Sequence, residues 1–157
     1  TNVGRGAFQG CSEIIEVDIP ESVTAIEPFA FDGCGKITHF DLPDSISSFG
    51  VRTFGGCVSL KEIRIPLNTT IISAELFLGC SSLQKFEIHN GVTEIGGEAF
   101  KNCISLEVVS RLPEGLKELS GAMFSGCFSL KDIELLQILY TFAYCVTYVL
   151  RRQAINR

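Results

Sequence analysis

The chain of 157 residues has no tryptophan, one methionine, two histidines and fewer basic than acidic residues. Its 13 Lys and Arg against 18 Asp and Glu give a net charge of −5, which argues against a nucleic-acid-binding protein, since such proteins present basic surfaces to phosphates. His39 and His89 lie far apart in sequence, which disfavours histidine-rich metal chemistry. The first ten residues lack the basic start and apolar stretch of a signal peptide.

The seven cysteines, in contrast, are spaced with a regularity that neither redox nor metal chemistry requires. The first five are 23 residues apart and the next gap is 24 residues, which indicates an internal repeat. A phenylalanine lies three residues before each of the first six. These two columns are Phe8, Phe31, Phe54, Phe77, Phe100 and Phe124, and Cys11, Cys34, Cys57, Cys80, Cys103 and Cys127. Gly or Asn precedes each of these cysteines, as a position with positive φ requires.

The repeating unit is F-x-G-C-x-x-L-x-x-I-x-I-P-x-x-V-x-x-I. Its L-x-x-I-x-I segment predicts a short strand that ends at proline. A-F-x-G-C is too short for a long helix and predicts a helical or 3₁₀ turn, and V-x-x-I predicts a second extended segment or a turn. One unit cannot bury its apolar columns alone, so the units are expected to stack as a solenoid, with the Phe and Cys columns as structural ladders.

The repeats define the predicted domain organisation. Residues 1–135 form a solenoid of five full repeats with partial ends, interpreted as a piece of a longer repeat protein because the chain starts within a unit. The pattern departs at His89, which replaces the closing proline, and at Pro113, which comes one residue late. Residues 136–157 lose the register and predict a degenerate repeat or a C-terminal capping helix. A third hypothesis is a membrane-contacting segment, although the apolar stretch is short for a bilayer span.

The repeat resembles the BspA-like class of leucine-rich repeats, a type of roughly 23 residues found in bacterial and protist proteins. This resemblance covers about residues 1–135. It implies a leucine-rich-repeat solenoid, that is, a right-handed α/β-type superhelix with short parallel strands and short helical or 3₁₀ turns. It also implies a location at the cell surface or in secretion, and adhesion to host matrix proteins or other cells.

The cysteines are interpreted as buried reduced thiols. A zinc site needs cysteine pairs closer in sequence, and side chains of one ladder point the same way, which disfavours disulfides. No nucleophile–base pair and no common catalytic or phosphate-binding motif is present. We therefore predict no catalytic, cofactor-binding or metal-binding residues, and a protein that is not an enzyme.

Two outward columns of the predicted strands form the candidate site. They carry seven carboxylates against two cations, Arg64 and Lys85, counting Asp132 and Glu134. One hypothesis is a binding face for a basic or mixed-charge protein, and the other is a solvated face that keeps the sheet soluble. The predicted binding residues, centred on the last four, are Glu16, Asp18, His39, Asp41, Glu62, Arg64, Lys85 and Glu87.

The function predicted from these features is non-catalytic protein recognition, with cell-surface adhesion or host interaction favoured by the resemblance. The alternative is an intracellular scaffold or regulatory protein in the cytoplasm, which free thiols would favour. The sequon Asn68-Thr69-Thr70 is compatible with secretion. No nucleic-acid partner is expected, and the protein ligand itself is not encoded in the pattern.

Overall fold

A computed structural model describes residues 1–110, 112–116 and 122–133 of the chain. These residues form eight strands of two residues each. The strands are β1 (Asn2–Val3), β2 (Ala25–Ile26), β3 (Ser48–Phe49), β4 (Ile71–Ile72), β5 (Lys85–Phe86), β6 (Glu94–Ile95), β7 (Val108–Val109) and β8 (Asp132–Ile133). All pairs are parallel, and each joins residues 23 apart, or 24 apart where the sequence has its extra residue. The register of the sequence repeat is therefore the register of a stacked solenoid.

Each coil contributes to two separate ladders. The V-x-x-I segments form β1-β2-β3 and β4-β6, which confirms the second extended segment. The L-x-x-I-x-I segments pair as strands only towards the C-terminal part, through the bridge between Arg64 and Glu87 and then through β5-β7-β8. In the earlier coils the same segment forms no paired strand. The closing Pro20, Pro43 and Pro66 offer no N–H, which keeps the segment short.

The A-F-x-G-C segments form chains of turns, and the described residues contain no helix. The reason is that successive N–H groups donate in different directions. The N–H of Leu78 donates within its own coil to Glu75 O at 2.9 Å, as in a 3₁₀ turn. The N–H of Phe77 donates instead to Ala99 O of the following coil at 2.8 Å. Half of the donors that a helix would use therefore hold neighbouring coils together.

Two positions in each coil adopt positive φ. One is the residue before cysteine, as predicted, with φ between 62° and 82° from Gly10 to Gly126. The other lies four residues earlier, where only the first copy, Gly6, is a glycine. The non-glycine residues at this second position are Phe29, Arg52, Glu75, Glu98 and Ala122.

The phenylalanine column forms a continuous stack through the interior. Adjacent rings lie 5.1 to 5.9 Å apart between centroids, with interplanar angles of 2° to 21°. Such offset stacking is favourable for aromatic side chains beyond the area that they bury. Phe40 and Phe86 insert tilted rings against this stack from the strand side.

The cysteine column lies beside the phenylalanines, and its thiols make hydrogen bonds. The Cys57 thiol donates to Phe31 O of the preceding coil at 3.3 Å. The earlier Cys34 and the three later cysteines Cys80, Cys103 and Cys127 repeat this contact at 3.0 to 3.2 Å. Phe31 O also accepts the N–H of Cys34 in its own coil. The thiol thus fills a second acceptor position on a buried carbonyl, which explains a small, weakly donating side chain at this point.

Polar residues within the apolar columns are satisfied by the backbone. Thr53 donates to Gly50 O at 2.8 Å and Thr69 to Ile46 O at 3.1 Å. No buried side-chain nitrogen or oxygen of the described residues lacks a partner. Among those residues, no helix is long and apolar enough to cross a membrane. The three hypotheses for residues 136–157 lie outside the described part of the chain.

Candidate protein-binding face

The eight residues predicted to bind a partner lie in two columns on one side of the solenoid, which we call the strand face. Alternation along each L-x-x-I-x-I segment turns the apolar residue inward and its two neighbours outward. Ile63 is buried between Glu62 and Arg64, and Phe86 between Lys85 and Glu87. All eight side chains are exposed to solvent. The repeat therefore places residues from four coils on one surface.

Arg64 does not project freely from the strand face. Its Nη1 donates to Asp44 Oδ1 at 2.7 Å and its Nη2 donates to Leu42 O at 3.1 Å, both in the preceding coil. Asp44 Oδ1 also accepts the N–H of Leu67. Both hydrogen bonds lower the pKa of the Asp44 carboxyl, and the one from Arg64 has the larger effect. Asp44 could not be predicted from the two columns, because it lies outside both, in the turn after the outward strand positions.

Lys85 is also engaged on the strand face. Its Nζ donates to Glu87 Oε1 at 2.5 Å, two residues along the same coil. This contact raises the pKa of Lys85 and lowers the pKa of Glu87. Both groups are exposed, so the pair adds little to folding stability. Its effect is local, because Lys85 and Glu87 neutralise each other within one coil.

Four carboxylates of the strand face have no ion pair with any described residue. They are Glu16, Asp18, Asp41 and Glu62. His39 lies among them, with its Nδ1 at 3.2 Å from Thr38 Oγ1. The strand face is therefore graded: it carries unneutralised negative charge in its N-terminal half and paired charges further on.

The face continues past the pair into an apolar position. Val108 of β7 follows Lys85 in the same column and is 41% exposed. Ser110, in the other column, turns its hydroxyl to accept the N–H of Ile88 at 2.7 Å. A partner that spans the strand face would therefore contact acidic side chains first, then side chains of both charges, and finally an apolar side chain.

A shallow depression of about 370 Å³ lies in the middle of the strand face. The lining residues are His39, Phe40, Asp41, Glu62, Ile63, Arg64, Lys85 and Glu87. The four residues on which the prediction centred line this depression, and Glu16 and Asp18 lie outside it.

The buried cysteines beside the phenylalanine stack are not activated for chemistry. Burial raises the pKa of the Cys34 thiol to about 11 and of the Cys127 thiol to about 12, with the charge of Cys11 adding to the first. Burial likewise raises the pKa of Cys57, Cys80 and Cys103. Such thiols stay protonated and are poor nucleophiles. Within the described residues, no group of three or more His, Cys, Asp or Glu is placed to hold a metal ion.

The comparisons with known proteins agree with this architecture. A model of the BspA type leucine rich repeat region matches six copies, over residues 1–107 and 70–149. A T. pallidum leucine-rich-repeat protein is 38% identical, with a TM-score of 0.81 over 84% of this chain and 61% of that one. A Bacteroides ovatus leucine-rich-repeat protein is 45% identical, with a TM-score of 0.80 over 84% of this chain and 34% of that one.

A third solved structure is a leucine rich cell surface protein from Faecalibacterium prausnitzii. It is 34% identical, with a TM-score of 0.73 over 78% of this chain and 32% of that chain. The chain spans about three fifths of the T. pallidum protein and about a third of the Bacteroides ovatus protein. No curated protein is similar enough to count as a match.

Stacked parallel coils with an exposed strand side define a leucine-rich-repeat protein. More narrowly, the chain belongs to the BspA-type leucine-rich-repeat family, as its motif indicated. Membership of this family suggests a protein–protein interaction module, and leucine-rich-repeat proteins are typically non-catalytic.

Proposed function

We propose that the chain recognises a protein partner through the strand face, and that its acidic N-terminal half binds basic side chains of that partner. The observation that carries this proposal is the set of carboxylates without ion pairs. The solenoid neutralises many of its other exposed charges between coils, for example Lys36 with Glu13 and Lys131 with Glu107. On the strand face it leaves Asp41 and Glu62 unpaired instead.

The geometry also favours a partner that lies across the coils. Equivalent side chains of neighbouring coils are one strand spacing apart, about 4.8 Å. The backbone under such a row is held in place, because core residues alternate with the exposed ones, as Ile63 follows Glu62 and Phe40 precedes Asp41. An array of like charges attracts an oppositely charged partner and speeds its association.

Charge-neutral variants test this proposal, with a fluorescent lysine-rich peptide as the probe. We expect D41N/E62Q to weaken binding about fivefold, as loss of roughly 1 kcal/mol implies. The matched control is E21Q/E94Q, which removes two exposed carboxylates away from the strand face. R64E/K85E should tighten binding, while its melting temperature stays close to that of the parent because both lost ion pairs are exposed.

Equal weakening by D41N/E62Q and E21Q/E94Q would show that only net charge matters and would reject the strand face as the site. Binding that fails to strengthen in R64E/K85E would count against the same surface. Titration at two salt concentrations measures the electrostatic part of the affinity.

We further propose that this recognition takes place at a cell surface, in adhesion or host interaction. The support is the similarity to the Faecalibacterium prausnitzii cell surface protein. The exposed side chain of Asn68 in its sequon is compatible with that location. Free thiols do not oppose it, because five of the six described cysteines are buried.

The alternative is an intracellular scaffold that uses the same strand face. The two locations are distinguished on intact source cells, by protease treatment followed by detection with an antibody to the folded repeats. Loss of the full-length band supports the surface location. Protection until the cells are lysed supports the intracellular alternative and would overturn adhesion, without affecting the strand-face test.

A further inference from the structure

A four-residue turn connects the two ladders between β5 and β6. It runs from His89 to Val92 and is closed by the N–H of Val92, which donates to His89 O at 3.1 Å. The two central residues, Asn90 and Gly91, are both exposed. This is the only Asn-Gly pair in the chain. Glycine leaves its own amide nitrogen unshielded, and an asparagine side chain directly before it can be attacked by that nitrogen.

The imidazole of His89 is fixed against this amide. Its Nε2 lies 3.1 Å from Pro66 O, and its Nδ1 lies 3.1 Å from the N–H of Gly91. A carbonyl only accepts, so Nε2 carries the proton and Nδ1 presents its lone pair to Gly91. A Cβ on Gly91 would lie 3.0 Å from two atoms of the imidazole ring, so glycine suits this position. The turn therefore holds a base on the one amide proton that intramolecular attack must remove.

We propose that Asn90 is a site of self-catalysed deamidation, with Gly91 N as the nucleophile and His89 Nδ1 as the general base. Nδ1 takes the amide proton as Gly91 N bonds to Cγ of Asn90. The Cγ–NH₂ bond then breaks, and ammonia leaves with the proton returned by His89. One water molecule hydrolyses the resulting succinimide, at either carbonyl, to aspartate or isoaspartate. No oxidant, metal or cofactor takes part.

The products change the molecule in two ways. Aspartate at position 90 adds one negative charge in the column that already holds Asp44, two coils earlier. Isoaspartate lengthens the main chain by one carbon in the turn that sets the register between β4 and β6. The site would thus mark the age of each molecule and loosen one coil of the stack.

Peptide mapping by mass spectrometry tests the proposal on the intact chain incubated at neutral pH. We expect the peptide that contains Asn90 to gain the mass that results when the side-chain NH₂ is replaced by OH. The peptides that contain Asn68 or Asn2 should show no comparable gain. His89→Pro is the matched variant, because proline occupies this column in three other coils, at Pro20, Pro43 and Pro66. It should slow the reaction about tenfold, less than the ~10²–10⁴-fold of a fully evolved general base.

A second comparison does not depend on how the variant folds. The unmodified chain should deamidate faster in its native state than in concentrated urea, since unfolding separates His89 from its position on Gly91. A faster reaction in urea, an unchanged rate in a folded His89→Pro variant, or no modification of Asn90 would each overturn the proposal.

Discussion

At the scale of single residues, the cysteine column shows how a repeat uses a weak donor. A thiol is small enough to recur in every coil without holding the coils apart. It also reaches a carbonyl of the preceding coil, as the Cys57 thiol reaches Phe31 O. The regular spacing was enough to predict that the column is buried. The hydrogen bond itself could not be predicted from the sequence. A column of alanine or valine, which cannot make this bond, would indicate burial equally well.

Because of these thiols, we expect the free energy of unfolding to fall as the pH rises through the alkaline range. Burial raises the pKa of Cys34 to about 11 and of Cys127 to about 12, from an ordinary value near 9. Above that ordinary value the unfolded chain releases protons that the folded chain keeps. The stabilisation is therefore complete below about pH 9 and is lost as pH rises towards 11 and 12.

Urea unfolding at pH 8 and pH 10, in reducing buffer, measures this loss. The free energy of unfolding should fall more steeply in the parent than in C34A/C127A, by up to about 1.4 kcal/mol per pH unit for each thiol. Ile37→Val is the control, since it lowers stability without removing a titrating group. Parallel pH profiles for C34A/C127A and the parent would contradict the assignment.

At the scale of the structural element, the sequence predicted the ladders better than the turns. The period-2 pattern of L-x-x-I-x-I located the inward Ile63 and the outward Glu62 and Arg64. The second positive-φ position stayed hidden, because its column holds a different residue in nearly every coil, such as Phe29 and Glu75. These side chains are half-buried or exposed and share no chemical type, so the column gives no sign of the strained backbone.

Neighbouring coils approach closely at Gly96, and this contact predicts the effect of a substitution. A Cβ on Gly96 would lie 2.4 Å from Ala74 N and 2.7 Å from its Cα, both backbone atoms that cannot move alone. Gly96→Ala should therefore lower the free energy of unfolding by about 2 kcal/mol or more. Gly4→Ala, in the same column, is the control, because nothing lies within 4 Å of its Cβ position.

Urea denaturation of the two alanine variants gives the comparison. A Gly96→Ala loss no larger than that of Gly4→Ala would show that the coils shift apart without penalty. The same column tolerates Glu27 and Ser73, so the tight contact belongs to particular coils and could not be predicted from the column composition.

At the scale of the whole molecule, each coil contacts its immediate neighbours, and stability follows the stack. Phe54 is fully buried between Phe31 and Phe77 and also meets Phe40 and Phe49. Phe54→Ala should cost about 3–5 kcal/mol, a large share of the ~5–15 kcal/mol that a domain has.

Phe8 is the matched position at the first coil, half-buried and stacked only on Phe31 among the described rings. Phe8→Ala should cost less than half as much by chemical denaturation. In Phe54→Ala, hydrogen exchange should accelerate on both sides of the lost ring, whereas in Phe8→Ala the faster exchange should stay within the first coils. Equal losses in the two variants would show that the solenoid unfolds as one unit regardless of position.

The sequence predicts only part of the strand face. Its eight members follow from register, and their exposure from alternation. That Arg64 turns towards Asp44 and Lys85 towards Glu87 depends on side-chain reach between coils, which one-dimensional spacing does not contain. The identity of the partner cannot be predicted from the repeat, because the repeat determines the scaffold while the outward residues vary from coil to coil.

The opposed hydrogen bonds between coils have an electrical consequence. On the turn side, N–H groups donate to the following coil, as Phe77 does to Ala99; on the strand sides they donate to the preceding coil, as Gly96 does to Ile72. The peptide dipoles along the axis therefore largely cancel, whereas those of an α-helix add up to about half a charge at each end. A stack of this kind therefore lengthens by adding coils without building up a macrodipole along its axis.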